Sequence, residues 1–88
     1  MTPVTFYTKN NCPQCKATKM ILEAKKIEYT ERNIDENDGY RLEAQATGFF
    51  NVPIIVPDPD SGIKSWSGFK PDELKIIIFK LVFLIRQV

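Results

Sequence analysis

No histidine occurs anywhere in the 88-residue chain, so the side chain most often used for general acid–base catalysis and metal ligation is missing. No Ser/His/Asp arrangement is possible, and the four glycines form no phosphate-cradling loop. An excess of one charge is lacking too: twelve basic and eleven acidic residues leave +1, without the block of one sign that nucleic acid or an acidic membrane surface would call for. There is no internal repeat or low-complexity tract. Met1-Thr2-Pro3-Val4 lacks the charged-then-apolar pattern of a signal peptide, from which a cytoplasmic location is expected. A chain this short, 43% hydrophobic and 26% charged, is expected to make one domain over 1–88.

Cysteine is scarce as well, but the two that exist stand together in Asn11-Cys12-Pro13-Gln14-Cys15-Lys16. A thiol becomes a nucleophile by losing its proton, which a helix N-terminus, nearby positive charge or a Cys-x-x-Cys partner each promote. All three are present. Val4-Thr5-Phe6-Tyr7-Thr8 is β-branched and aromatic and reads as a strand, and Lys9-Asn10-Asn11 as a polar break. Pro13 suits a first helical turn, and Ala17, Met20, Ile21 and Ala24 recur at one-face spacing, so a helix to about Lys25 or Lys26 is expected. Cys12 then sits where the helix dipole favours an anion. Cys15, one turn on, lies close enough to attack a mixed disulfide formed at Cys12, so the pair can close and reopen.

Two blander uses of the pair stay open. A structural disulfide closing so short a loop would restrain little of the unfolded chain. Structural zinc wants four ligands, and two cysteines without histidine would need a second chain or carboxylates. Lys16 follows the second cysteine and Lys9 precedes the first by three residues; each is either a solvated lysine or a charge that tunes a thiol or steers an anion.

Further along, Ile27–Ile34 reads as a second strand, making a right-handed parallel unit. Asp35 is placed to cap a second helix through about Thr47, ended by Gly48, with a thin apolar face of Tyr40, Ala44 and Thr47. In Phe49-Phe50-Asn51-Val52-Pro53-Ile54-Ile55-Val56 the proline must mark a strand start, an edge or a bend. Asp58-Pro59-Asp60-Ser61-Gly62 supplies turn residues, and Ile63-Lys64-Ser65-Trp66 returns as a fourth strand in an antiparallel hairpin. Pro71, Asp72 and Glu73 open a last helix, apolar almost all round from Leu74 to Ile85. It is too short and lysine-interrupted to span a bilayer. Its leftover apolar residues, Ile76, Phe79 and Phe83, are expected to form a patch suited to a weak homodimer or a membrane surface.

This α/β order, βαβαββα with a four-stranded mixed sheet and three helices, resembles the thioredoxin fold in its small glutaredoxin-like form. Within it the chain is similar to the NrdH-type redoxins. Cys12-Pro13-Gln14-Cys15-Lys16-Ala17-Thr18-Lys19 resembles their Cys-x-Gln-Cys-x-x-Thr-Lys, and Trp66-Ser67-Gly68-Phe69-Lys70-Pro71 their Trp-Ser-Gly-Phe-Arg-Pro. The resemblance implies a protein-disulfide oxidoreductase, an electron donor to class Ib ribonucleotide reductase that is itself reduced by thioredoxin reductase. It makes Cys12 the exposed nucleophile and Cys15 the buried resolving thiol. It places Val52-Pro53 at the fold's cis-proline, beside an extended substrate. Trp66, Ser67, Gly68 and Phe69 would form part of the docking surface, with Trp66 and Phe69 also suited to the core.

The same resemblance carries departures. Lys70 stands where the family has Arg, and the apolar C-terminal helix differs from the usual polar tail. The Gly-Gly and acidic pair of glutathione-using glutaredoxins is replaced by Trp-Ser-Gly-Phe-Lys-Pro-Asp. Lys9 and Pro13, however, match glutaredoxin positions, so a glutathione-dependent dithiol glutaredoxin is the second reading and a metal-bridged, non-catalytic dimer the third. No cofactor beyond a redox-active Cys12–Cys15 disulfide, and no nucleic-acid partner, is expected.

Overall fold

The computed structural model describes residues 4–77. Strand β1 (Val4–Thr8) is followed by helix α1 (Pro13–Ala24), β2 (Thr30–Asn33), α2 (Asp38–Ala46), β3 (Ile54–Pro57) and β4 (Trp66–Ser67); residues 71–77 form a third helix, α3. The sheet order is β2-β1-β3-β4. β1 and β2 run parallel, with Thr5 opposite Thr30 and Thr8 opposite Asn33. β3 pairs antiparallel with both β1 and β4. The expected mixed sheet with three helices is thus present.

Alternation along the two central strands divides the core. Val4 and Phe6 of β1 and Ile55 of β3 pack with Cys15 and Leu22 of α1 and Leu74 and Ile77 of α3. Tyr7 and Ile54 join Ala44 of α2 in a second cluster. Burying a Leu- or Phe-sized side chain contributes about 1.5–3 kcal/mol, and Phe6, Leu22, Ile54, Ile55, Leu74 and Ile77 are all fully buried.

Several element boundaries differ from the sequence-based expectation. The buried face of α1 is Cys15, Thr18 and Leu22, not the stripe through Met20 and Ala24; Met20 is 61% exposed. Thr18 can face the core because its hydroxyl donates to the Gln14 carbonyl at 2.9 Å, satisfying the polar group within the helix. The helix stops at Ala24 because Lys26 turns left-handed, at φ 56°. The Lys26 N–H then bonds Glu23 O at 3.0 Å and the Ile27 N–H bonds Leu22 O at 2.9 Å, the paired bonds of a Schellman cap. Ile27, expected to start β2, is consumed by that cap, so the strand begins at Thr30.

Asp35 does not cap α2. Asn37 does, its side-chain oxygen accepting from the Tyr40 N–H at 3.1 Å, while Asp35 accepts from the backbone N–H of Asn10 at 3.0 Å. The carboxylate nearer in sequence to β2 is spent on the loop across the sheet end. The Gly48 terminator stands as expected, at φ 87°. β4 is Trp66–Ser67 rather than Ile63–Trp66. Pro57 has no N–H to extend the ladder, and a 3-10 turn at Pro59–Ser61 leads the chain out of line. In α3, Leu74 and Ile77 are buried and Ile76 is 44% exposed; Phe79 and Phe83 lie outside the described residues.

Candidate functional site

Cys12 is the N-cap of α1, in an extended conformation. Asn11 precedes it at φ 55°, a left-handed turn that asparagine tolerates better than most residues, and this aims the chain into the helix. The sulfur of Cys12 takes the place of the usual capping oxygen: Sγ accepts the Cys15 N–H at 3.1 Å. Pro13, with no N–H to satisfy, fills the first helical position. Cys12 is half-buried, whereas Cys15 is only 3% exposed. The two are joined in a disulfide with Cα atoms 5.2 Å apart.

The loop that carries Cys12 is tied down from β2. The Asn33 amide donates to Asn10 Oδ1 at 3.0 Å, beside the Asp35 contact to the Asn10 backbone. Asp35 is in turn 3.6 Å from Arg41. None of Asn10, Asn33 or Asp35 stood out in the sequence as a support for the cysteines, because their spacing is set by the parallel β1/β2 register and not by the chain.

Among the described residues, two open grooves share Cys12. One, of about 600 Å³, is lined by Lys9, Asn11, Cys12, Pro13, Gln14, Asn51, Val52, Ser67 and Gly68. It gathers seven of the eleven residues singled out in the sequence, from three separate parts of the chain. The Val52-Pro53 peptide is cis, and Pro53 itself is fully buried. Gly68, at φ 91°, donates its N–H to the Pro53 carbonyl at 2.8 Å, and the Ser67 hydroxyl bonds the Asn51 carbonyl. Those bonds clamp the Trp66–Phe69 stretch against the proline turn. Among the described residues Val52 makes no backbone hydrogen bond. Asn51 is a lining residue that the sequence did not mark.

The remaining residues sit elsewhere. Trp66 is 4% exposed and belongs to the core, its indole N–H without a partner among the described residues. Phe69 is half-buried against that same core. These two aromatics pack into the core behind the groove, while Ser67 and Gly68 line it. Cys15 lines the second groove, of about 700 Å³, together with Cys12, Lys16 and Lys19. Among the described residues no three acidic, cysteine or histidine side chains converge as a metal site, and no helix is long and apolar enough to cross a membrane.

A half-buried sulfur capping a helix, bonded to a buried sulfur one turn on and flanked by open grooves, can take part in thiol–disulfide exchange. The glutaredoxin family model matches residues 4–60. The glutaredoxin-like protein NrdH of Salmonella typhimurium is 39% identical over 69 residues, 78% of this chain and 80% of that one. NrdH of Lactococcus lactis subsp. cremoris is 41% identical over 71 residues, 81% and 93% of the two chains. Among solved structures, the glutaredoxin-like NrdH-redoxin of Escherichia coli superposes with a TM-score of 0.71 at 33% identity, covering 82% of this chain and 90% of that one.

Proposed function

Since the chain belongs to the glutaredoxin family, among its glutaredoxin-like NrdH proteins, we propose that it is a cytoplasmic dithiol redoxin that takes electrons from thioredoxin reductase. Its proposed target is the disulfide of class Ib ribonucleotide reductase, which would place it in deoxyribonucleotide synthesis. The observation that carries the reading is Cys12 Sγ at the α1 N-cap, accepting the Cys15 N–H at 3.1 Å on the wall of a groove that also holds Val52 and Gly68. The E. coli relative is described as having a thioredoxin-like activity profile, which supports the choice of reductase.

In the reduced protein the Cys12 thiolate attacks one sulfur of the target disulfide. A mixed disulfide forms and the target's other sulfur leaves as a thiolate. The helix N-terminus that holds Cys12 Sγ stabilises the attacking anion. The target chain lies extended against Val52, whose free backbone groups bond it as a short added strand, while Lys9, Pro13, Gln14, Ser67 and Gly68 line its path and Trp66, Pro53 and Phe69 hold that wall in place. Cys15 then loses its proton and attacks Cys12 Sγ, releasing the target as a dithiol and closing the Cys12–Cys15 disulfide. Two electrons and two protons pass to the target, and the reductase returns them. No further cofactor enters the cycle.

A second reading, reduction by glutathione, is favoured by Lys9, which lines the Cys12 groove at a position glutaredoxins also keep basic. Against it, the chain carries no Gly-Gly and acidic pair before α3.

The cysteine roles are tested by intact-mass analysis after mixing with a disulfide-bonded target. Cys15→Ser should accumulate a covalent adduct through Cys12 and Cys12→Ser should form none; wild-type turnover by Cys12→Ser would overturn the assignment.

A further inference from the structure

Cys12 walls two grooves, and the exchange cycle above uses only the one beside Val52. The other lies between the start of α1 and the carboxyl ends of the parallel strands β1 and β2, the usual place for a binding crevice in such a layout. Its charged lining is three lysines, Lys9, Lys16 and Lys19, against one acid, Glu31. Lys19 and Glu31 are 3.3 Å apart and neutralise each other. Among the described residues Lys9 and Lys16 form no ion pair. On the loop side, Asp35 is engaged by Arg41 and the Asn10 backbone. Two uncompensated cations therefore flank the reactive sulfur in a chain whose total charge is only +1.

The walls are mostly exposed residues, Lys9, Asn10, Asn11, Pro13 and Lys16 among them. Such a groove cannot enclose a small anion, and solvent screens its charges. A polypeptide is different. Once its cysteine is bonded to Cys12, the neighbouring residues are held at high effective concentration, and weak attractions suffice to sort partners. Asparagines 10, 11 and 33 add amide donors along the same wall.

We propose that this second groove seats an acidic segment of the partner protein, the stretch that continues past the reacting cysteine while the other arm lies along Val52. The proposal rests on the exchange reading and adds to it the charge of the preferred partner. Lys16 provides the selecting charge, since it lines this groove and not the other.

The test uses two synthetic peptides with the same disulfide, flanked either by aspartates or by lysines, reduced by the dithiol protein under stopped flow. At about 10 mM salt, where charges reach ~30 Å, the acidic peptide should react about threefold to tenfold faster, as expected for one or two exposed ion pairs. In about 1 M salt, where the reach falls to ~3 Å, the ratio should approach one. Lys16→Glu should abolish or invert the low-salt preference. Lys64→Glu, in a separate groove beside Trp66 and Glu73, should preserve it. Equal rates for both peptides at low salt, or a preference that survives Lys16→Glu, would overturn the groove assignment and leave disulfide exchange standing. Failure to reduce either peptide would remove the exchange reading itself, and this inference with it.

Discussion

One atom of Cys12 serves the helix and the proposed chemistry. As an N-cap it satisfies a backbone N–H that would otherwise be orphaned, and as the proposed nucleophile it would draw on the same donor. Pro13 and the Cys-x-x-Cys spacing made that position legible in the sequence. Other single residues were not legible, because their roles depend on backbone conformation. Asn11 and Lys26 both adopt positive φ, and only the first is a residue type that suggests it. Lys26 closes α1 where glycine is the common choice. A left-handed conformation costs a residue with a Cβ roughly 1–2 kcal/mol, partly offset by the greater chain entropy of glycine when unfolded. Lys26→Gly should therefore raise stability by about 0.5–1 kcal/mol, read as a higher urea midpoint; a lower midpoint would show that the lysine side chain itself is needed there.

Among the elements, α2 was the least legible, and its packing shows why. Ala44 is its only buried residue and Leu42 is 67% exposed, so the helix leaves little apolar periodicity to detect. It is held by polar contacts to the sheet instead. Tyr7 of β1 donates to Glu43 at 3.1 Å, Arg32 of β2 pairs with the same carboxylate, and the Arg32 guanidinium lies 5.5 Å from the Tyr40 ring centre. β1, with four of its five residues buried, is legible because burial there follows its apolar sequence, and the Cys-bearing start of α1 because Pro13 marks the first helical position. The α2 attachment has a pH signature. Burial first, then the bond to Glu43, pushes the Tyr7 phenol above its usual 10.0. Tyr29 is raised too, by burial and then by Glu23, whose carboxylate accepts its hydroxyl at 2.8 Å. A raised folded value means that these tyrosines' contribution is intact below the unfolded pKa near 10 and is lost as pH climbs through the folded values. Phenolate absorbance should accordingly rise at higher pH in the folded protein than in urea, with the urea midpoint falling above about pH 10. Superimposable phenolate curves would contradict this.

For the whole molecule, the sheet order decides the site. Placing β3 beside β1 brings the Val52-Pro53 turn to the end of the strand that delivers Cys12, and β4 then carries Ser67 and Gly68 to the same edge. The motifs at Cys12 and Trp66 announced this meeting as a resemblance. Which members face the groove is a matter of packing: Trp66 turns into the core and Asn51 takes a place on the wall. The second groove was legible only in part, since Lys16 reads in sequence as either a solvated lysine or a charge that tunes a thiol or steers an anion, and it shares a groove with Lys19, Glu31 and Asn33 only because β2 closes against α1.

The central claim is that this fold passes electrons from thioredoxin reductase through Cys12 and Cys15 to protein disulfides. It is tested most directly by NADPH consumption with a protein disulfide as acceptor, supplying either thioredoxin reductase or glutathione with glutathione reductase. The account predicts turnover with thioredoxin reductase and little with glutathione. Turnover with glutathione alone would contradict it and make the protein a glutathione-dependent glutaredoxin.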